Sequence, residues 1–472
     1  MKSPFSKSNC TILLFLLGSS LILMVAAFYN QFPLTQANDT AAYLVYGVSG
    51  KHPAGVHSFI YGLWIMVTSL RISLWFVVFF QSFLAAYCIF ECTYNFTKLD
   101  SNDAAAVGLL LTTILAYCTG IIKFTSLIMA DIYTPILFCC AAVLLFGKEL
   151  PSFRKGFIYI LFFLSVMMHS SHVLTIVIFT FILTCFYLIW FRKKINIAAA
   201  NIRAYIITLA LAFIFIPTIH FIFTQEFYLS KSSQTFFVAH IADNGLLDKF
   251  LEERCPEKEY SLCAYKGTFN NSQSFLWDLQ NSPLYKHGDL FDAWENRRQE
   301  YSELMKDFLS RPKYVFLFLI DSFLTTFSQL VTFDMVNDNE RRPWIEQMIK
   351  DHFHRDWYKY NNCLQVKGWY YNAFDKNITD RNYTTMCITS ILLILICIIN
   401  RKQSVLSDKQ QFMIVFFVIA IFVNNLVCST FSVVAPRFQE RICWLLPFAL
   451  LLIIVDKAPP VFNRFFATKK EI

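Results

Sequence analysis

Charge is what this chain has least of. Only 16% of its 472 residues are charged and 56% are hydrophobic, where a soluble domain carries about 25% charge. A soluble fold of this length has nowhere to hide so much apolar surface, which excludes an ordinary water-soluble enzyme. Internal repeats are missing too, so a transporter assembled from two related halves gains no support. Paired CxxC spacings are absent, and with them that kind of zinc module; no metal ligands are assigned. Most of the 14 cysteines fall within or beside apolar runs, where they act as small apolar residues. Cys255, Cys263 and Cys363 are the exceptions. Cys255 and Cys263 either close a small loop in an oxidising compartment or stay as thiols.

What the chain does have is apolar runs of bilayer length. Thr11–Tyr29, Ser73–Glu91, Val173–Phe191, Tyr205–Thr224 and Phe412–Cys428 each approach the roughly 20 residues a spanning helix needs. The first run follows Lys2 and Lys7 as a signal peptide would, but its length favours a retained helix. The net charge of +8 is not a nucleic-acid signal. Its basic clusters, Lys148–Lys155, Arg192–Arg203, Arg401–Lys409 and Lys457–Lys470, occupy short links and the tail, as the positive-inside bias requires.

These features predict an all-α polytopic membrane protein with about ten transmembrane helices, both termini cytoplasmic. The expected spans lie near 11–29, 73–93, 105–120, 132–147, 156–168, 173–191, 205–224, 386–400, 411–428 and 441–456. Residues 1–224 form an N-terminal membrane module with a first outer loop at 30–72. Residues 225–385, polar and rich in Trp, Tyr and Asn, form an extracytoplasmic loop domain, and 386–472 a C-terminal module with a cytoplasmic tail. The run Tyr314–Phe333 contains Asp321, Ser322 and Gln329. Crossing alone, it would put Arg401 and Lys402 outside, so 313–333 is expected to lie along the membrane.

This topology gathers ionisable groups on one surface: Asp39, then Lys123 and Asp131, then His169 and His172, then Arg437, Glu440 and Arg441. Such groups at a membrane edge are costly and point to function. Each also has a plainer reading. Asp39 and Asp131 read as helix N-caps, the histidines as packing residues, and the two arginines as interfacial anchors.

The string Asp39-Thr-Ala-Ala-Tyr43, then Gly47, then His52-Pro53 and Gly55, resembles the first outer loop of GT-C glycosyltransferases. These include lipid A aminoarabinose transferases and protein O-mannosyltransferases. Met129-Ala-Asp131 looks like their second acidic position. Arg437-Phe-Gln-Glu-Arg441-Ile-Cys-Trp-Leu-Leu-Pro447 resembles a late arginine-bearing motif of such bacterial proteins. Position 38 departs from the pattern, being Asn where many members carry a second acid, and 225–385 resembles no known module.

The resemblance implies a GT-C-like bundle in a bacterial inner membrane. It would move a sugar from a polyprenyl-phosphate donor to a glycan, lipid or protein acceptor on the extracytoplasmic face. Membrane lipid is then a partner and nucleic acid is not; no cofactor is required, although a divalent cation is left open. Asp39 would be the general base, and Asp131, the second catalytic residue, would hold the acceptor or the neighbours of Asp39 in place. Arg437 and Arg441, with Lys123, would hold the leaving phosphate, since guanidinium groups bind phosphate oxygens in a fork. Tyr43, His52 and His172 complete the substrate-binding set. Two other classes compete: an O-antigen ligase or polymerase, against which the first outer loop argues, and a transporter or lipid flippase, which predicts mid-helix charges.

Overall fold

A bilayer leaves backbone N–H and C=O groups no partner but the chain itself, and a helix satisfies them locally. The computed structural model describes residues 7–49, 57–269, 271–287, 292–334 and 343–458. Among these there are helices and one isolated bridge, with no strands. Eight helices are long and apolar enough to cross a membrane: Leu74–Phe96, Ser101–Cys118, Ser170–Phe191, Ala199–Thr224, Pro312–Val331, Tyr371–Gln403, Asp408–Phe431 and Pro436–Lys457. The chain is a polytopic helical membrane protein.

Seven of these eight coincide with expected spans, and Pro312–Val331 is the eighth. Three other expected spans emerge as shorter helices, Lys7–Leu23, Tyr133–Phe146 and Ser152–Met168, of 17, 14 and 17 residues. The first breaks at Met24 and resumes as Val25–Asn30, Gly147 ends the second, and Pro151 precedes the third. The span expected near 386–400 is longer than foreseen, running helically from Tyr371 to Gln403.

Burial sorts the helices into a centre and a rim. Pro436–Lys457, Asp408–Phe431 and Leu74–Phe96 have 83%, 78% and 67% of their apolar windows buried, so they form the centre. Ser170–Phe191, Ala199–Thr224 and Tyr371–Gln403 have only 22% buried. Their outward rows, Phe181, Ile207, Ile214 and Ile394 among them, would be costly in water and are at home in hydrocarbon. At one end the helices start on polar caps. Asp100 accepts from the N–H groups of Asn102 and Asp103, and Ser407 forms a capping box with Gln410.

At the other end lies a second core. Residues from Phe237 to Phe318, with Trp294, Tyr301, Phe308 and Tyr314 inside, pack chiefly on one another, and Phe431 and Val433 at the end of the bundle pack against them. The Cys255–Cys263 disulfide closes a loop there, and Cys363 is a buried free thiol elsewhere. Residues 343–375 behave differently. Ile345, Ile349, Phe353, Tyr360 and Tyr370 belong to the main core, so the segment expected as one loop domain feeds two cores.

Pro312–Val331 leans on the Asp408–Phe431 helix. Phe318 meets the Phe431 ring, and Phe323 and Phe327 meet Phe422. Its first turn bonds to the second core and its last to the segment that follows Phe431. Tyr314 Oη donates to Lys249 O at 3.0 Å, and the Gln329 amide exchanges two 2.8 Å bonds with the backbone of Ala435.

Candidate functional site

The site grows from Pro436–Glu440, the first turn of the Pro436–Lys457 helix, where it follows the Asp408–Phe431 helix. Its polar side chains are each taken up by a different element. Arg437 forms an ion pair with Asp39. Gln439 Oε1 accepts from Asn425 Nδ2 at 2.7 Å, and Glu440 lies 3.2 Å from Lys123 Nζ. Arg441, the next residue, donates to Asp131 Oδ1 at 2.7 Å and to Asn424 Oδ1 at 2.8 Å. The run from 437 to 441 therefore fixes four strands of chain at one point.

Asp39 is the third residue of the helix Ala37–Leu44, whose N-cap is Gln36. It does not cap. Its second oxygen lies 2.9 Å from His57 Nε2. His57 precedes the helix Phe59–Thr68, which packs back on 37–49 because Gly47 and Gly62 let the backbones touch. A Cβ on Gly62 would come within 2.8 Å of Gly47 N. Burial pushes the Asp39 carboxyl up, but Arg437 and His57 outweigh it and hold the group well below the usual carboxylate range. Tyr43 stacks edge-on against His57 and Tyr61, and burial pushes its phenol up, so it stays protonated.

The two acidic segments are stitched together. Leu34 N donates to Ser126 O and Ile128 N to Leu34 O, both at 2.9 Å, in the isolated parallel bridge. Thr40 Oγ1 donates to Ile128 O at 3.1 Å. Gln365, from the 343–375 segment, clamps Thr35 through both its amide groups. Asp131 sits in a single 3-10 turn, Ala130–Ile132, and it too makes no cap bond. Its place is set by Arg441, and both side chains are at most 1% exposed.

Beside Asp39 and Arg437 opens a cavity of about 780 Å³. Gln36, Tyr43, His57 and His169 line it from the bundle, and Phe236 and Trp277 from the second core. Asp39 and Arg437 keep 18% and 24% of their side chains exposed. His169 Nδ1 accepts from Ser171 Oγ at 2.8 Å. Burial, with Arg441 and His172 next, pushes its pKa well below the ordinary value, so its ring is neutral near pH 7.

The structure thus brings Asp39, Tyr43 and Arg437 to one cavity. Asp131 and Arg441 stand behind it as a buried pair. Lys123 lies elsewhere in the packing, 3.0 Å from Asp375 and 3.2 Å from Glu440, with no exposed surface. His172 is locked by Thr134 Oγ1 at 2.7 Å and Ser165 O at 2.6 Å, inside the bundle. His52 lies outside the described residues. His57 is the cavity residue that sequence reasoning missed; His169 was noticed only for its position. Among the described residues no group of three or more His, Cys, Asp or Glu is arranged to hold a metal ion.

No family model, curated protein or solved structure matches this chain.

Proposed function

We propose that the chain is a membrane glycosyltransferase, moving a sugar from a polyprenyl-phosphate donor to an acceptor hydroxyl at the cavity. The observation that carries this reading is the Asp39–Arg437 pair on the wall of a cavity with aromatic and polar lining. One partner suits proton removal and the other suits a phosphate, and each keeps an exposed edge. The disulfide in the second core supports placing that end in an oxidising compartment, outside the cytoplasm. We also take ten helices to cross, with Pro312–Val331 lying along the membrane between its bonds to Lys249 and Ala435.

In the resting pair Arg437 occupies one Asp39 oxygen. The donor phosphate accepts the Arg437 N–H groups instead, which releases that oxygen for the acceptor hydroxyl, while His57 keeps the other. The acceptor O–H gives its proton to Asp39 as its oxygen bonds to the anomeric carbon. The bond from that carbon to the phosphate oxygen breaks, and its electron pair leaves with the lipid phosphate, whose growing charge faces Arg437. Asp131 acts through Arg441 as a positioning residue.

Two measurements on the full chain test this reading. Undecaprenyl phosphate binding should weaken about tenfold or more in Arg437→Gln, the loss of one charge-assisted phosphate contact. Asp39→Asn should bind it normally and transfer no sugar from a panel of polyprenyl-phosphate sugars. Unchanged lipid binding in Arg437→Gln, or normal transfer by Asp39→Asn, would overturn the proposal.

A further inference from the structure

The end of the bundle opposite the cavity holds a second crevice, of about 530 Å³, which the transfer reaction does not use. Lys148, Lys155, Lys194 and Lys409 all line it, against one lining carboxylate, Glu149. These lysines come from three separate stretches of sequence, around 148–155, 194 and 409, so the fold and not local composition alone has collected them. Among the described residues, only Lys194 of the four has an ion-pair partner, the exposed Asp408 at 3.5 Å. Lys148 donates to Leu99 O at 3.5 Å and lies over the Tyr94 ring; Lys155 donates to Asn201 Oδ1 at 3.3 Å. None of these contacts neutralises charge.

The helices add to the imbalance. Ser152–Met168, Ala199–Thr224 and Asp408–Phe431 all begin at this crevice, which takes Lys155, Asn201 and Lys409 from their first turns. A helix N-terminus carries partial positive charge and disfavours a cation in its first turn. Two lysines nevertheless sit there. The remaining wall, Val143 to Phe146 and Ile195, is apolar. A cationic mouth over an apolar wall suits an amphiphilic anion.

We propose that this crevice binds a phosphate-bearing group, either the headgroup of an anionic lipid in the adjoining leaflet or a free phosphate anion. Basic pockets between membrane helices on the cytoplasmic side take anionic headgroups, and each lysine near the surface contributes appreciably. The bound phosphate sits between Lys155 and Lys409, accepts their ammonium N–H groups, and relieves the repulsion among the four.

The test uses the full chain in nanodiscs of phosphatidylcholine. One arm adds phosphatidylglycerol and reads retained lipid by native mass spectrometry; the other adds inorganic pyrophosphate and reads thermal stabilisation. Lys155→Gln/Lys409→Gln should weaken binding roughly tenfold or more in whichever arm shows it. Lys193→Gln/Lys402→Gln, exposed lysines at the same end, should not. Loss in the lipid arm assigns a headgroup, and loss in the pyrophosphate arm alone assigns a soluble anion. Equal weakening by both double variants would mean diffuse attraction to a basic surface and would overturn the proposal, as would no saturable binding in either arm. Should the double variant fail to fold, Lys155→Gln alone gives the same reading.

Discussion

Changing Asp131 to Asn tests whether the buried pair holds the site or reacts in it. Among the described residues Asp131 is the carboxylate that ion-pairs with Arg441, and neither side chain is more than 1% exposed. Removing one charge of a buried pair strands the other, at about 3–5 kcal/mol. Asp131→Asn should therefore lower unfolding free energy by about that amount, although Asn424 still accepts from Arg441. Replacing both partners, as Asp131→Leu with Arg441→Met, removes the stranded charge and leaves Asn424 short of one donor. That double variant should lose only about 1–3 kcal/mol. With Asp131→Leu and Arg441→Met as the single variants, each stranding its buried partner at about 3–5 kcal/mol, the cycle gives a coupling of several kcal/mol, well outside the additive range. Equilibrium unfolding in mixed detergent micelles, with transfer assayed on the folded fraction, reads both quantities. A loss under about 1 kcal/mol in Asp131→Asn would refute the argument that this pair anchors the 437–441 segment. A well-folded Asp131→Asn protein with no transfer would return Asp131 to the reacting groups.

Three further outcomes follow from the same geometry. Gly62→Ala should cost about 1–3 kcal/mol by overpacking, because its Cβ meets Gly47 N and Tyr46 Cβ at 2.8 Å; transfer should fall further than stability, through the His57 contact to Asp39, and normal transfer would sink that link. In a background lacking exposed cysteines, Gln280→Cys and Lys350→Cys should label with an impermeant reagent from outside the cell and Lys193→Cys should not, whereas labelling at one of the first two alone would break the ten-crossing topology. The depressed Asp39 carboxyl should contribute stability above its unfolded pKa and lose it only in acid below about pH 4, so the wild-type and Asp39→Asn stabilities should converge only there, and convergence near pH 6 would contradict the pairing with Arg437.

The parts of this molecule that were legible in the sequence are those a bilayer dictates locally. Apolar length marks the Asp408–Phe431 helix without knowledge of its neighbours, and the links carrying Lys148, Arg192 and Arg401 point the same way because charge bias acts on each link separately. The second core was not legible as a packed unit, because its apolar residues, Phe237 to Phe318, are spread over several helices that only the fold brings together. Asp39 and Arg437 were found through a motif, but their pairing spans nearly the whole chain. His57 was missed because it stands 18 residues from Asp39, a separation that no helical period relates. One available signal went unused: Asn424 and Asn425 lie side by side within an apolar span, and polar residues there seek partners in the bundle. They bond to Phe438 O and to Gln439, which names the 436–441 segment as the centre of the site.

Arg437 and Arg441 stand four residues apart in one sequence motif, yet their surroundings divide the work between them. Arg441 has no exposed surface and is held by Asp131, Asn424 and Cys428. Exchanging any of these for a substrate oxygen would leave a buried charge unpaired, at a cost no ordinary phosphate contact offsets. Arg437 has its partner at the edge of the cavity, where both side chains touch open space. An arriving phosphate can replace Asp39 there without stranding anything, because Asp39 keeps His57 on its other oxygen. The rigid arginine therefore fixes the backbone from which the exposed one reaches out, and in the proposed reaction the aspartate would serve as a base only once a donor phosphate had taken its cation away. If the chain carries out the proposed transfer, lipid phosphate must bind before the acceptor gives up its proton, and an acceptor bound alone leaves Asp39 tied to Arg437.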